Sequence, residues 1–584
     1  MSDTADRVFE AAPPDFTPER LAEIAREHYG IVGELAPLFS ERDQNARIAG
    51  LVLKVANVAE DPDVLHLQHA ALAHLEATVP QIGVPRLVRT RAAADTATVH
   101  GVQGEHLVRC ITFLPGRSLA SVPRTPELET ELGALMGTVS LGLRGFGHPA
   151  AHRTGFLWHL DAAQGVRRWL GDVADPDDRS VVSWALDQHE QRVVPRLASL
   201  RGAVVHTDAN DHNVLVNDGH ISGLIDFGDM AYARQITELA VTLAYALLDV
   251  PDVVATATRV IDGYTSVFDL EPVELEVLFP LVAARLAMSV AISSHRGREF
   301  PDNEYLLVSQ APALRLLRRL RSMRPQFLHF VARAAAGLAP VPQHDAVVEW
   351  LQSPACAPVS PMPFDLGRAG RIVISLAEGA PGMDVAGDAD AYWAWLQGEM
   401  TRRHATVAIG RYDEDRACYA GDQFVTDAPE TRSVHLGIDL FVPADTEVRA
   451  MLDGVVETVV DNDMPYDYGP TVIVRHQAGD AGPFWCLYGH LSRRTLSTVE
   501  RGQAVRAGEV VGFVGDKTVN GGWAPHVHVQ LITDLMADPA VGPDGNFEGA
   551  GEPSRMGVWR QVAPDANLLL RLAPETFTPA DDPD

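Results

Sequence analysis

The stretch VVHTDANDHNVLVNDGHISGLIDFGD, residues 204–229, decides how the first half of the chain is read. Its apolar runs VLV and ISGLI flank Asn217-Asp218-Gly219, a turn that folds the second run back beside the first. The expected order is loop, strand, turn, strand and acidic loop. Folding back brings Asp208, Asn213 and Asp226 to one end of the hairpin, where their oxygen-bearing side chains converge. Phosphoryl transfer needs such a convergence: one carboxylate orients the attacking hydroxyl and accepts its proton, while an amide and a second carboxylate hold Mg²⁺ on the nucleotide phosphates. Asp208 suits the first role, and Asn213 and Asp226 the second. His206, two residues ahead of Asp208, is read as holding the loop by hydrogen bonds.

HTDANDHN (206–213) and IDFGD (225–229) match the signatures H-x-D-x-x-x-x-N and I-D-F/W-x-D. On these residues the chain resembles the aminoglycoside phosphotransferase and choline kinase superfamily. The resemblance implies a bilobal, protein-kinase-like α+β domain over residues 17–335 and ATP or GTP as the phosphoryl donor. LVLKVAN (51–57) alternates as a strand and presents Lys54, a point charge suited to the nucleotide phosphates. SERDQNARI (40–48) stands where the nucleotide-covering hairpin is expected, and it lacks the G-x-G-x-x-G of protein kinases. On the helix that follows, Gln68 occupies the position expected to hold the acid that pairs with the lysine. LVRCITFLPGRSL (107–119) has the order of an interlobe hinge, with backbone groups near Ile111 and Phe113 meeting the purine.

Within the superfamily the resemblance is to hydroxylysine kinase and its bacterial relatives, through LVLKVAN with LQHAALAHL, GFLWHL (155–160) and RLAMSVAISSHRGREFPDNEYLLVS (285–309). It implies a small hydroxylated amine or amino acid as acceptor, with Trp158, Arg285, Ser289 and Ser293 as candidate contacts for an amino-acid carboxylate or ammonium. It further implies a PLP-dependent phospho-lyase as a partner in the same pathway. Phosphorylation of an aminoglycoside-type antibiotic is the alternative that the shared signature leaves open.

The second half carries different chemistry. In VHLGIDLF (434–441), His435 and Asp439 share a face if the backbone is extended, and Gly437 between them leaves room for an ion. In HVHVQLI (526–532), His526 and His528 alternate with valines that face a core. Zinc takes imidazole nitrogen and carboxylate oxygen, and His435, Asp439 and one histidine of H-x-H supply three ligands. The other histidine and His490, in LYGHL, are then free for proton handling. These elements, H-x-x-x-D, Y-x-H-L and H-x-H in that order, resemble the M23 (lysostaphin, LytM-like) peptidases. The resemblance implies Zn²⁺ held by His435, Asp439 and His528, His490 and His526 as catalytic histidines, a mainly β fold of the duplicated hybrid motif type, and a peptide or amide substrate. A non-catalytic binding module is the alternative for this half. His476 and Cys486 are read as strand packing, and GEVVGFVGD (508–516) as a β-turn feature and not a phosphate loop.

The 584 residues exceed one hydrophobic core, and 46% hydrophobic with 22% charged residues is a folded composition. The expected division is a kinase-like domain at 17–335, a connector with a small packed element at 336–403, an M23-like domain at 404–570 and a disordered tail at 571–584. A formal charge of −30 excludes a general nucleic-acid binder and disfavours anionic membrane surfaces. Cys110, Cys356, Cys418 and Cys486 form no C-x-x-C pair, so neither a disulfide framework nor a thiolate metal site is signalled. The first residues lack a basic segment followed by an apolar one, which points to a cytoplasmic protein. The sequence thus reads as a multidomain, bifunctional enzyme.

Overall fold

The computed structural model describes residues 13–577 except 39, 41, 300–309, 420, 422–423, 427, 538–541 and 543–544. The chain divides into two compact units, Met1–Gly337 and Leu338–Asp584.

In the first unit the helix Pro18–Ile24 precedes an antiparallel sheet in the order Leu35–Leu38, Gln44–Ile48, Leu51–Val55, Gly104–Thr112 and Leu87–Val88, with Ala97–Gly101 also paired to Gly104–Thr112. Alternation in Leu51–Val55 puts Leu53 and Val55 into the core and turns Lys54 to the other face. The helix Pro62–Thr78, capped by the Asp61 side chain on the Asp63 N–H, covers the sheet with Leu65, Leu67, Leu72 and Leu75. A helical lobe follows, built around Pro126–Gly142, Thr237–Ala246, Val253–Thr265 and Pro272–Glu299. By length and composition Pro272–Arg298 is apolar enough to cross a membrane, and its apolar window is 94% buried within the protein.

The decisive hairpin forms as its residues dictate. Val214–Asn217 pairs with His220–Leu224, and the two connecting residues, Asp218 and Gly219, have φ of 51° and 83°. Positive φ at both positions is the twist-matched type I′ geometry. Past the hairpin the Ile225 N–H donates to the Asn213 carbonyl at 2.9 Å, which draws Asp226 back to the loop at 206–213. Directly after it Ala231–Arg234 forms a strand against Gly202–Val205.

The second unit is organised by an eight-stranded sheet in the order Arg371–Ile374, Val407–Gly410, Ile438–Phe441, His526–Ile532, Pro483–Gly489, Gly469–Gln477, Gly454–Asn462 and Ala504–Val505. Residues 338–403, read from the sequence within a connector with a small packed element at 336–403, are built into this unit. Val347 and Leu351 of the helix His344–Gln352 join the main core, Arg371–Ile374 is an edge strand, and Tyr392, Leu396 and Met400 of Ala389–Arg402 pack beside it. Asp453-Gly454, a dipeptide that favours hairpin turns, joins strands that do not pair with each other. Glu447–Arg449 pairs with Val510–Phe513 instead, because neither residue of the turn adopts the positive φ that would fold the strands together. Of the expected disordered tail, Leu572 is buried and Arg571 donates to the Leu351 and Cys356 carbonyls, while 578–584 lie outside the described residues. All four cysteines are free thiols. His476 and Cys486 are buried within strands of the sheet, His476 tilted against Phe484 with ring centroids 5.2 Å apart.

Candidate functional sites

A cavity of about 1230 Å³ in the first unit collects the expected residues on one wall system: Lys54, Ile111, Phe113, Asp208, Asn213 and Asp226, and also Trp158, Arg285, Ser289 and Ser293. The catalytic loop is fixed from below. His206 is fully buried; its Nδ1 accepts the Asp208 N–H at 3.3 Å, so its Nε2–H donates to the Ile225 carbonyl at 3.2 Å. Burial depresses its pKa to about 4, so the ring is a neutral strut. Glu238, which the sequence reading did not single out, is fully buried and accepts the His206 N–H at 2.7 Å. Thr207 and Asp226 sit at φ of 66° and 62°, a left-handed backbone maintained by these contacts and by the Thr207 hydroxyl bond to the Asp229 carbonyl.

The two oxygens of Asp208 are divided. Oδ2 accepts the Asn213 side-chain N–H at 2.9 Å, and Oδ1 accepts from Arg285 Nη2 at 3.2 Å. Burial, assisted by Asp229 and opposed by Arg285, raises the Asp208 pKa to about 7. Asp226 behaves oppositely: burial works against its charge, and Lys54 with Arg42 more than offset it, holding the carboxyl below its ordinary value. Two neighbouring acids are thus pushed apart, one toward proton exchange and one toward permanent charge. Because Asn213 commits its amide nitrogen to Asp208, its Oδ1 remains for a cation beside the ionised Asp226. The donor set fits Mg²⁺, a hard cation that prefers oxygen.

Lys54 finds its acid somewhere other than the following helix. Gln68 accepts from Arg109 Nη1 at 2.5 Å, while Asp43 lies 4.0 Å from Lys54 Nζ and 3.9 Å from Arg109 Nη2. Burial and the nearby Arg109 lower the lysine pKa. At the hinge the N–H groups of Thr112 and Phe113 are committed to the Arg86 and Gly50 carbonyls, and Arg47 stacks 4.0 Å over the Phe113 ring.

The second site lies where Ile438–Phe441 pairs with His526–Ile532, which sets Asp439 opposite His528 and Phe441 opposite His526. His435 arrives on a separate short strand, Val434–His435, paired with Ala550–Gly551. His435, Asp439 and His528 are 0%, 2% and 2% exposed, and their ligand atoms lie within 4.8 Å of one another.

The hydrogen bonds fix which nitrogens face the centre. His435 Nδ1 donates to the Arg411 carbonyl at 2.7 Å, leaving Nε2 inward. His528 Nε2 donates to Gln530 Oε1 at 2.9 Å, leaving Nδ1 inward. Those two inward nitrogens are 2.9 Å apart, and Asp439 Oδ1 is 3.3 Å and 3.0 Å from them. Acceptor lone pairs so close repel unless a cation lies among them, so the set fits zinc in nitrogen-oxygen coordination. His490 Nδ1 and His526 Nδ1 likewise donate to the Asn520 and Ala524 carbonyls at 2.9 Å and 2.7 Å, leaving both Nε2 atoms basic. Their rings stand 4.3 Å apart, and burial lowers both pKa values, so they rest unprotonated.

Sequence reading missed Arg416, whose buried guanidinium donates to Asp439 Oδ2 at 2.7 Å and to Glu414 Oε2 at 3.3 Å, so only Oδ1 of Asp439 faces the histidines. Gly437 also has a different role from the one expected. A Cβ there would stand 2.5 Å from His528 Cε1, so the missing side chain makes room for the ligand ring. Gly437→Ala is expected to cost about 1–3 kcal/mol of stability through overpacking and to reduce bound zinc; urea unfolding and metal analysis check both.

Comparison with known proteins finds a different family match in each half of the chain. Residues 40–275 match the phosphotransferase enzyme family, and residues 433–539 match peptidase family M23. Hydroxylysine kinase of Mus musculus is 27% identical over 348 residues, covering 54% of this chain and 91% of that protein. The Danio rerio hydroxylysine kinase is 28% identical over 326 residues, covering 53% and 92%. The DD-carboxypeptidase/endopeptidase Mpg of Neisseria meningitidis serogroup B is 39% identical over 100 residues, which is 17% of this chain and 20% of that protein.

Proposed function

We propose, from the premise that the chain carries a phosphotransferase-family domain followed by an M23 peptidase-family domain, that it performs two reactions. The first unit transfers a phosphoryl group from ATP or GTP to the hydroxyl of a small amino alcohol or hydroxy amino acid of the hydroxylysine kind. The second hydrolyses an amide or peptide bond. The observation that carries the first reading is the division of labour between Asp208 and Asp226 in one cavity with Lys54.

In the first reaction Asp208 receives the acceptor's hydroxyl, aligns it and takes its proton. Asn213 and Asp226 would hold Mg²⁺, which neutralises phosphate charge when bound, and Lys54 lies beside Asp226 to meet the phosphates. Use of a nucleoside triphosphate supports a cytoplasmic setting. Coupled nucleotide-consumption assays across hydroxylysine, threonine, serine and their amine counterparts test the reading, and no turnover of any of them would sink it. The pH profile has a defined sign. Asp208 must be deprotonated to act as base, so kcat/KM is expected to be full above about pH 7 and to fall tenfold per unit below it.

In the second reaction His435, Asp439 and His528 would hold zinc, which polarises a carbonyl and activates water when bound. His490 and His526 accept and return protons at Nε2, each ring oriented by its backbone bond. Cleavage of short glycine-rich and D-amino-acid peptides, monitored by mass spectrometry with and without a chelator, tests this half. Cleavage indifferent to metal removal would refute it.

A further inference from the structure

We propose that Arg42, from the nucleotide-covering hairpin, is a catalytic residue of the phosphoryl transfer: its guanidinium meets the terminal phosphate and carries the charge that builds up there in the transition state. This rests on the kinase reading above and adds a residue to it. The hairpin, residues 35–48, contains no glycine. Its backbone therefore has little freedom to wrap phosphates with a row of N–H groups, and the Asp43 N–H is already committed to Ser40 Oγ at 3.2 Å. Positive charge then comes from a side chain. Arg42 reaches from the hairpin to the acidic loop, where its Nη2 donates to Asp229 Oδ1 at 3.0 Å. Its own carbonyl accepts from the buried Asn57 amide at 3.5 Å.

Its surroundings locate the guanidinium. Arg42 interacts electrostatically with both Asp226 and Lys54, and its partner Asp229 does so with Asp208. Arg42 thus lies among the base, the acid that would hold Mg²⁺ and the phosphate lysine, and all five residues line one cavity. In-line transfer puts the terminal phosphorus in that same space. The acceptor oxygen bonds to phosphorus as the bond from phosphorus to the bridging oxygen breaks; the nucleoside diphosphate leaves with the electron pair, and the hydroxyl proton passes to Asp208. Negative charge spreads over phosphoryl oxygens that face three carboxylates, so a cation beside them acts where the charge appears. Arg285 also contacts Asp208, but it is 2% exposed and packed on Trp158 and Tyr245, whereas the Arg42 side chain keeps 28% of its surface open.

The test uses the full-length protein, with ATP or GTP according to which the wild type consumes. Arg42→Gln is expected to lower kcat by about 10²–10³-fold, the usual effect of removing one donor aimed at developing charge. The nucleotide KM is expected to move by less than about threefold. Fluoroaluminate, which with ADP or GDP imitates the phosphoryl group in flight, supplies a second readout. It is expected to tighten diphosphate binding at least about tenfold less in Arg42→Gln than in the wild type, while the diphosphate alone binds both alike. A residue that only ties the hairpin to the acidic loop gives the opposite pattern, with diphosphate affinity and nucleotide KM impaired and kcat and the fluoroaluminate effect preserved. That result overturns the proposal and leaves the kinase reading intact. If Arg42→Gln does not fold, Arg42→Lys decides, since it keeps the charge opposite Asp229 without the planar fork: a kcat at least about tenfold below wild type supports the assignment, and an unchanged kcat overturns it. If the wild type turns over none of the acceptors named above, the kinase reading fails and this proposal with it.

Discussion

Replacing Asp208 by Asn is expected to lower kcat for phosphoryl transfer by about 10³–10⁴-fold while leaving nucleotide binding near wild type. The amide fills the same space and its single oxygen can still accept from Arg285, while its NH2 faces the Asn213 N–H and loses that bond. What disappears is the site for the hydroxyl proton, together with a negative charge that orients the attacking oxygen. Asn213 contacts Asp208 through two bonds of 2.9 Å, one to the backbone carbonyl, and the backbone one survives the substitution. Isothermal titration with a non-hydrolysable nucleotide separates the two effects. Equal loss of binding and turnover would show that Asp208 shapes the nucleotide site and is not the base. The pH dependence below 7 should vanish in this variant, because the group whose pKa burial raises to about 7 is gone.

His435→Ala is expected to reduce bound zinc from about one equivalent to a tenth or less, and to abolish metal-dependent cleavage. The reason lies in the count of inward lone pairs. His435 Nε2, His528 Nδ1 and Asp439 Oδ1 form the ligand set, and Arg416 already occupies the other oxygen of Asp439. Metal analysis after dialysis, with phosphoryl transfer measured on the same sample, checks the outcome: kinase activity should be unchanged, since the substitution is confined to the second unit. Zinc retained at full stoichiometry would mean that the ion sits elsewhere or that no site exists at this cluster.

Much of both sites was legible because their residues are close in sequence. Asp208, Asn213 and Asp226 fall within one hairpin whose Asp218-Gly219 turn has a single favoured geometry, and H-x-H on a strand puts both rings on one face. What could not be read is carried by contacts across the sheets. Asp43 reaches Lys54 and Arg109 only once three strands are in register, and Arg416 meets Asp439 only after its loop has folded over the sheet. Glu238 lies one helix beyond the signature that it supports. The stretch before residue 403 misled for a local reason: its proline and glycine clusters resemble a linker, yet the short apolar runs between them dock on an existing edge strand. Asp453-Gly454 shows the opposite case, a hairpin dipeptide whose flanking strands found other neighbours.

Three of the four histidines at the second unit's site take their orientation from main-chain carbonyls, those of Arg411, Asn520 and Ala524. Every residue type carries that oxygen, so mutational drift at these three positions cannot delete the anchor. The kinase loop is different, since Glu238 and Arg285 steady it through side chains that one codon change removes. Side-chain changes at Arg411, Asn520 and Ala524 should therefore spare the histidine anchors, whereas changes at Glu238, Arg285, Gln530 or Arg416 remove a support.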